Sequence, residues 1–158
     1  MNQSFDDERR WLQGTLTRDI PLGGAMELTV ARLDAHGVTL ELPLGANVND
    51  KGTAFGGALA SAMILAGWSL PRLLMRRAGL KAELVIGRCE IRFTRPVASG
   101  FQAFCAWPDQ ADCERFVRRL GESGRASLVL EPEIRADEEV AASLSAKYAA
   151  LGTSGSPQ

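Results

Sequence analysis

The spacing of apolar and polar residues divides the first third of the chain into a helix and a hairpin. Phe5–Thr17 has acidic residues early and apolar residues at helical spacing, which predicts a short amphipathic helix. Met26–Asp34 and Gly37–Leu44 instead alternate apolar and polar residues, with a turn sequence, Asp-Ala-His-Gly, at their junction. This alternation predicts two antiparallel strands joined as a β-hairpin.

The middle of the chain is strongly apolar and predicts one long helix beginning at about Ala54. Pro71 predicts an interruption of this helix or the start of a second turn, because proline has no amide proton to donate. Gly79 predicts its end. A helix this apolar must be covered on most sides, so we expect the strands to surround it.

Four extended segments follow the helix, with glycine, proline or acidic turns at their ends. They are Ala82–Val97, Phe101–Trp107, Ala126–Arg135 and Val140–Ala150. Asp112–Leu120, between the second and third of them, is compatible with a short helix or a wide hairpin connection. Residues 152–158 are rich in glycine and serine and predict a disordered tail.

This order of elements predicts an α+β fold of the hotdog type, in which an antiparallel sheet of about five to six strands wraps around a long central helix. The chain has 158 residues, enough for one domain with a substantial core. We therefore expect a single domain over residues 1–151, with the N-terminal helix included.

Composition and charge narrow the function classes. Apolar residues make up 46% of the chain and charged residues 23%, with a formal net charge of −1. Without a strong overall field we expect no nucleic acid partner. The acidic N-terminal segment is unlike a signal peptide, and the longest apolar run, Gly56–Leu70, is shorter than the ~20 residues of a membrane span. The three cysteines lack the spacing of a metal or redox motif, so we expect a soluble protein of the reducing cytoplasm, without a membrane partner.

The segment between Asn47 and Trp68 joins a polar, glycine-punctuated loop to the start of the apolar helix. Its glycines, Gly52, Gly56 and Gly57, allow the backbone to approach a ligand closely and tolerate positive φ angles. The first amides of a helix have no partner within the helix, and the helix dipole adds positive potential there. The segment therefore predicts a cradle for the oxygen of a thioester carbonyl or an enolate.

Residues 49–57 read Asn-Asp-Lys-Gly-Thr-Ala-Phe-Gly-Gly, and a Gly-Trp pair follows at residues 67–68. This motif resembles the signature of the thioesterase-like family named after the C-terminal domain of YiiD. The resemblance implies a hotdog homodimer, or a dimer of dimers, whose active sites lie at the subunit interface and act on acyl thioesters. The chain is also similar to stand-alone malonyl-acyl carrier protein decarboxylases, which make acetyl-acyl carrier protein for the initiation of fatty acid synthesis. The implied substrate is a thioester of acyl carrier protein or coenzyme A, and it carries its own phosphopantetheine, so no separate cofactor is expected.

Acid–base catalysts are scarce in this sequence. The one histidine, His36, falls in the predicted hairpin turn, so neither a serine nor a cysteine nucleophile has an evident base. No His, Cys and carboxylate cluster stands at ligand spacing, so no metal is expected. Thioesterases of the phenylacetyl-CoA type carry Asn-x-x-Gly-x-x-His-Gly-Gly and a helical acid further on, but here Phe55 takes the histidine position and Ile64 the acid position. Asp50 is the nearest alternative carboxylate, and it is at least as typical of a plain loop residue.

Decarboxylation of a malonyl thioester has different requirements. It needs donors aimed at the enolate oxygen, and a dry pocket that holds the carboxylate out of the thioester plane. The catalytic candidates are the Asn49 side chain, the Thr53 hydroxyl and the amides of Gly56 and Gly57. The predicted substrate-binding residues are Asn47, Asp50, Phe55, Arg92 and Arg95.

Each candidate also has a plain interpretation. Asn49 is a typical turn former, Thr53 a typical helix N-cap, and paired glycines often serve close packing of a helix on a sheet. The arginines at residues 72–77 and 88–95 are candidates for the phosphopantetheine phosphate or an acidic carrier protein.

Three functions follow from these observations. The leading hypothesis is decarboxylation of malonyl-acyl carrier protein. The second is an acyl thioesterase that uses Asp50 or a water held by Asn49. The third is a non-catalytic module that binds acyl thioesters.

Overall fold

The structure, a computed structural model, describes residues 2–153 and contains an antiparallel sheet around one long helix. Helix α1 spans Asn2–Gly14 and continues into a π-helical turn at Thr15–Asp19, after which the short helix α2 spans Pro21–Ala25. Helix α3 spans Gly56–Arg77, helix α4 spans Gln110–Ser123, and a single 3-10 turn covers Gly45–Asn47. The strands β1 to β7 span Thr29–Leu33, Gly37–Leu42, Ala82–Phe93, Phe101–Ala106, Arg125–Leu130, Glu133–Ala136 and Glu139–Gly152.

The sheet confirms the predicted α+β hotdog fold and has seven strands in the order β1-β2-β4-β6-β7-β3. Strand β5 lies end to end with β6 along one side of β7, whose other side pairs with β3. The sequence predicted β5 and β6 as one strand, Ala126–Arg135. That prediction is wrong because Pro132 breaks the ladder, since proline cannot donate a hydrogen bond to a neighbouring strand.

The predicted hairpin and the predicted helix at the N-terminus are confirmed. Strand β1 pairs with β2 across the turn that contains His36, and the His36 side chain is exposed. Residues 110–123 form a helix, which selects the first of the two alternatives for this segment. Strand β7 ends at Gly152, paired with Ala82, so the first residue of the predicted disordered tail is ordered. Residues 154–158 of that tail lie outside the described residues.

Helix α3 forms the centre of the core and begins at Gly56, two residues after the predicted start at about Ala54. It continues through Pro71, which is buried between Leu70 and Leu73, so the predicted interruption is wrong. Packing on both sides of this turn outweighs the intrinsic cost of proline. The helix ends at Arg77, two residues before Gly79, which has a positive φ (65°).

The length and composition of α3 alone would suit a membrane span. Its most apolar window has a mean hydropathy of 1.4, but 72% of that window is buried inside the protein. Because the sheet covers the helix on most sides, α3 is the core helix of this fold.

Gly67, in the Gly-Trp pair, lies against Tyr148 of β7. Tyr148 is fully buried, and its hydroxyl donates a 2.7 Å hydrogen bond to the carbonyl of Ile64. A Cβ atom at Gly67 would collide with the Tyr148 hydroxyl oxygen and lie 3.0 Å from two of its ring carbons. The Gly-Trp pair of the motif therefore serves the packing of helix on sheet.

Candidate active site

The loop before α3 is organised by the side chain of Asn49. Its Oδ1 accepts hydrogen bonds from the amides of Lys51 (2.8 Å) and Thr53 (3.1 Å). Its Nδ2 donates to the Thr53 hydroxyl at 2.8 Å, and the Asn49 amide donates to the Thr53 carbonyl at 2.7 Å. Four hydrogen bonds between nearby residues thus close the loop and bring two of the predicted catalytic side chains into contact.

Closing the loop leaves donors free. Within residues 2–153, the second Nδ2 proton of Asn49 and the hydroxyl proton of Thr53 have no hydrogen-bond acceptor. Both residues are half-buried, so these two donors are partly shielded from solvent. The loop-forming interpretation of Asn49 is confirmed, and its side chain still offers one N–H to a ligand.

The start of α3 offers two further donors. Phe55 occupies the N-cap position without any side-chain cap, and its own amide donates to the Asn47 carbonyl at 2.8 Å. The interpretation of Thr53 as the helix cap is therefore wrong, because its hydroxyl binds Asn49 instead. In the described part of the chain the amides of Gly56 and Gly57 have no partner. These two amides lie at the positive end of the helix dipole.

Two exposed aromatic rings flank these amides. The Phe55 side chain is 59% exposed and folds back over Gly57, where a Cβ would collide with the ring. The Phe93 side chain is 55% exposed, and its ring lies 3.8 Å from the Cβ position of Gly56. Gly57 thus makes room for the Phe55 ring, whereas a Cβ at Gly56 would make only an ordinary contact with Phe93 of β3.

A cleft of about 390 Å³ opens beside Gly56. Its lining residues are Ala54, Gly56, Leu59, Phe93, Thr94, Arg95, Pro96 and Val97. Two sets of hydrogen bonds fix its walls: the Ala54 amide donates to the Val97 carbonyl at 2.7 Å, and the Thr94 amide donates to the Ala141 carbonyl at 2.9 Å. The lining contains one charged side chain, Arg95, which forms an ion pair with Glu139.

The remaining predicted binding residues lie elsewhere. Arg92 occupies the opposite face of β3 from Phe93, in a separate depression shared with Glu90 and Glu133. Asn47 is buried, and its Nδ2 donates to the carbonyls of Met26 (3.0 Å) and Pro43 (2.8 Å). Asp50 has an 84% exposed side chain beside Lys51 at the loop surface. The structure therefore brings the side chains of Asn49 and Thr53 together, and Phe55 and Arg95 to the start of α3. Arg92 lies in another depression, the Asn47 side chain binds other backbone groups although its carbonyl meets the Phe55 amide, and Asp50 faces solvent.

The arginines at the other end of α3 hold the N-terminal helix. The guanidinium groups of Arg72 and Arg76 lie 5.1 and 4.8 Å from the centre of the Trp11 ring. Arg77 binds the buried carboxylate of Glu8 at 3.0 Å and stacks on a tryptophan that precedes α4. These three arginines are engaged within the fold, and the expectation that they meet a phosphate or a carrier protein finds no support in their contacts.

Neither a base nor an evident nucleophile lines the cleft. No histidine, cysteine or carboxylate is among its lining residues, and Ile64 lies inside α3, at the position of the acid in hydrolytic relatives. Burial raises the pKa of the Cys105 thiol to about 12 and raises that of the Tyr148 phenol as well, so neither ionises near neutral pH. Across residues 2–153 no cluster of potential metal ligands is present.

Two contributors to the site escaped sequence reasoning. Phe93 reads as an ordinary apolar residue of a strand, and only the fold shows that it is exposed beside Gly56. Glu139 reads as part of an acidic turn, and its pairing with Arg95 joins segments far apart in sequence. A signal for either would require knowledge of the register between β3 and β7.

Together the fold and the site define a hotdog protein with a donor-rich helix start and an apolar cleft. The chain belongs to the family described as "Putative thioesterase (yiiD_Cterm)", whose model matches residues 9–152. The expected family membership is thus confirmed over nearly the whole length. No protein with a curated description matches this chain.

Several solved structures share the fold along their full length. A protein of unknown function from Chlorobaculum tepidum is 25% identical with a TM-score of 0.88, covering 94% of this chain and 97% of that protein. A "putative thioesterase" from Shewanella oneidensis is 23% identical with a TM-score of 0.80, covering 92% and 99%. A Pseudomonas aeruginosa protein described as "Probable Thioesterase" is 21% identical with a TM-score of 0.76, covering 91% and 95%. The chain is similar to all three in fold.

Proposed function

We propose that this protein decarboxylates malonyl-acyl carrier protein to acetyl-acyl carrier protein, which primes fatty acid synthesis. One observation carries the proposal: free donors stand at the start of α3, beside a cleft whose lining contains no base. Hydrolysis needs a group that activates water, whereas decarboxylation needs stabilisation of an enolate. In this proposal the substrate brings its own phosphopantetheine and the reaction takes place in the cytoplasm.

The reaction divides into two steps. The bond between the methylene carbon and the carboxylate breaks, CO2 leaves, and the electron pair passes to the thioester, placing negative charge on its oxygen. Water then protonates the methylene carbon, which yields the acetyl thioester and hydroxide. No residue of the protein gains or loses a proton over the cycle, so the absence of a base from the cleft is no obstacle.

The free donors match the first step. The amides of Gly56 and Gly57, with the spare protons of Asn49 and Thr53, supply hydrogen bonds of the kind that stabilise an oxyanion. One such donor contributes about 3–4 kcal/mol to transition-state stabilisation when it is fixed in advance. The local hydrogen bonds of the loop provide that fixation.

The apolar residues of the cleft address the second requirement, a poorly solvated carboxylate, which the open cleft of one subunit would meet once a second copy of the chain covers it. Phe93, Pro96 and Val97 present apolar surface on one side, and Leu59 of α3 lies on the other. A carboxylate held there, out of the thioester plane, is destabilised relative to CO2, which carries no charge. Phe55, folded over Gly57, adds exposed apolar surface at the helix start.

We also propose that the active unit is a homodimer formed through β3. This strand has 12 residues, lies at the edge of the sheet and exposes apolar side chains, among them Val85, Ile86 and Phe93. A long edge with exposed apolar residues is a template for pairing with another strand. A second copy of β3 would cover this surface and shield the cleft, which Phe93 also lines.

Acyl-thioester hydrolysis is the second candidate function. It is favoured by the description of the family and by those of the Shewanella and Pseudomonas structures. The spare protons of Asn49 and Thr53 would orient a water, although its activation would need a carboxylate such as Asp50 to leave its exposed position. The geometry therefore supports hydrolysis less well than decarboxylation.

Incubation with malonyl-acyl carrier protein, followed by mass analysis of the carrier, separates the candidates. We expect acetyl-carrier protein with release of CO2. Free carrier thiol together with free malonate would replace the proposal with hydrolysis. Unchanged malonyl-carrier protein that co-elutes with the protein would leave only a binding module.

A further inference from the structure

We propose that Arg95 recognises the carboxylate of the acyl group, and that Glu139 keeps this recognition weak enough for CO2 to leave. The pair would make the site selective for carboxylated acyl groups over uncharged ones. This inference rests on the proposed function and deepens it, because it assigns a residue to the part of the substrate that is lost.

The position of Arg95 is fixed relative to the donors. Arg95 lines the same cleft as Gly56, and its neighbour Phe93 has a ring 3.8 Å from the Cβ position of that glycine. Both the Thr94 and Arg95 amides donate to the Ala141 carbonyl, at 2.9 and 3.3 Å, and the Thr94 hydroxyl donates to it at 3.0 Å. A cation is therefore anchored by its backbone in the same small cleft that Gly56, with its free amide, lines.

The size of the cleft separates two anionic groups that Arg95 could bind. In phosphopantetheine, two amide units and a branched alcohol lie between the sulfur and the phosphate. In a malonyl group, a single methylene lies between the thioester carbon and the carboxylate. With the thioester oxygen at the start of α3, a cation in the same cleft of about 390 Å³ meets the malonyl carboxylate and not the phosphate.

Glu139 limits the affinity of Arg95 for the substrate carboxylate. The side chains of Arg95 and Glu139 are 50% and 55% exposed, and ion pairs this exposed contribute little to stability, so a substrate carboxylate can displace or share the partner. The guanidinium group has five N–H donors and can contact two carboxylates together. Charge compensation by Glu139 matters because an interaction with the carboxylate that is lost as CO2 forms stabilises the substrate more than the transition state.

The test compares Arg95→Gln and Glu139→Gln with the wild type in steady-state decarboxylation of malonyl-acyl carrier protein. We expect Arg95→Gln to raise KM about tenfold with kcat within about twofold, the change expected from losing one charge-assisted hydrogen bond. Glu139→Gln should lower both KM and kcat, because uncompensated Arg95 would hold the carboxylate too tightly. Arg95→Lys should recover part of the lost affinity.

Arg32→Gln is the matched control, since Arg32 is likewise an exposed arginine in an ion pair, with Asp34 at 3.4 Å. It should leave KM and kcat at wild-type values. An unchanged KM in Arg95→Gln would overturn the inference. So would an equal loss of affinity for acetyl-acyl carrier protein, which would place Arg95 on the carrier or its arm.

Equilibrium binding separates failure of this inference from failure of the proposed function. The probes are malonyl- and acetyl-carrier proteins in which an amide replaces the thioester. Wild-type protein should bind the malonyl probe about tenfold more tightly, and Arg95→Gln should bind both equally. If the wild type makes no acetyl product yet shows this preference, the proposed reaction is wrong and the assignment of Arg95 stands. If it makes acetyl product without the preference, the assignment is wrong and the reaction stands.

Discussion

The two ends of α3 differ in their contacts with the rest of the chain. At the C-terminal end, Arg72, Arg76 and Arg77 are all engaged by α1 and by the segment before α4. At the N-terminal end, the first amides have no partner within residues 2–153, and Phe55 is left exposed. The arginines of α3 itself serve stability, and the end of α3 that has no charged residues of its own holds the features of a binding site. A cluster of arginines is therefore a poor guide to the active site in this fold.

The largest effect on turnover should come from substitution of Asn49, next to the N-terminal end of α3. We expect Asn49→Ala to lower kcat for acetyl formation by roughly 10²–10³-fold, because it removes an oxyanion donor and the acceptor that closes the loop. Sedimentation velocity should still show the wild-type assembly, since the affected hydrogen bonds are local to residues 49–53. Wild-type activity in this variant would remove Asn49 from the mechanism.

Substitution of two glycines of α3 should change the free energy of unfolding to different extents. Gly67→Ala should lower the free energy of unfolding by about 1–3 kcal/mol, because the new methyl group overpacks against fully buried Tyr148. Gly57→Ala should have a much smaller effect on unfolding, since the ring it meets belongs to exposed Phe55 and can rotate away. Urea denaturation of both variants measures the difference. Equal losses would contradict the division of α3 into a packed middle and an open start.

The contacts at the C-terminal end of α3 can be removed by substitutions that leave the cleft unchanged. Arg77→Ala should destabilise the fold by about 1–2 kcal/mol, because it leaves the buried Glu8 carboxylate without its cation, and partial exposure of Arg77 limits the loss. Arg76→Ala, which loses only a stacking contact with Trp11, is the control and should cost less. Both variants should keep the wild-type kcat below their unfolding temperatures. A loss of turnover at full folding would show that this end also serves the site.

The smallest expected effect is that of pH on turnover. Because no histidine, cysteine or carboxylate lines the cleft, kcat for acetyl formation should change little between about pH 6 and 8. The Cys105 thiol, whose pKa burial raises to about 12, stays neutral throughout this range. A pH profile of kcat at saturating substrate provides the measurement. A tenfold rise per pH unit would indicate an ionising base and favour hydrolysis.

The sequence predicted those parts of the molecule whose cause is local. Alternation located the hairpin, apolar content located α3, and the turn-forming tendency of Asn49 anticipated the closed loop. Local rules failed where distant packing opposed them, as at Pro71, which the core holds within α3. Pro132 is a different case, because a local property already disfavours a continuous strand there: proline has no amide proton to donate to a neighbouring strand.

The candidate site was predictable only in part, for the same reason. The donors of the loop and helix start come from consecutive residues, so a motif reveals them. The exposure of Phe93, the pairing of Arg95 with Glu139, and the turning away of Arg92 all depend on the register between β3 and β7. That register depends on contacts throughout the sheet, and the sequence alone does not indicate which residues pair.

The hydrogen bonds by which Asn49 closes its own loop determine when that loop becomes ordered. All of them join residues at most four positions apart, so the loop takes its shape when the chain folds. The entropic cost of fixing its donors then falls on folding, once, and not on every binding event. A site built this way meets each substrate already arranged, and in the proposed reaction its affinity can be directed to the short-lived enolate.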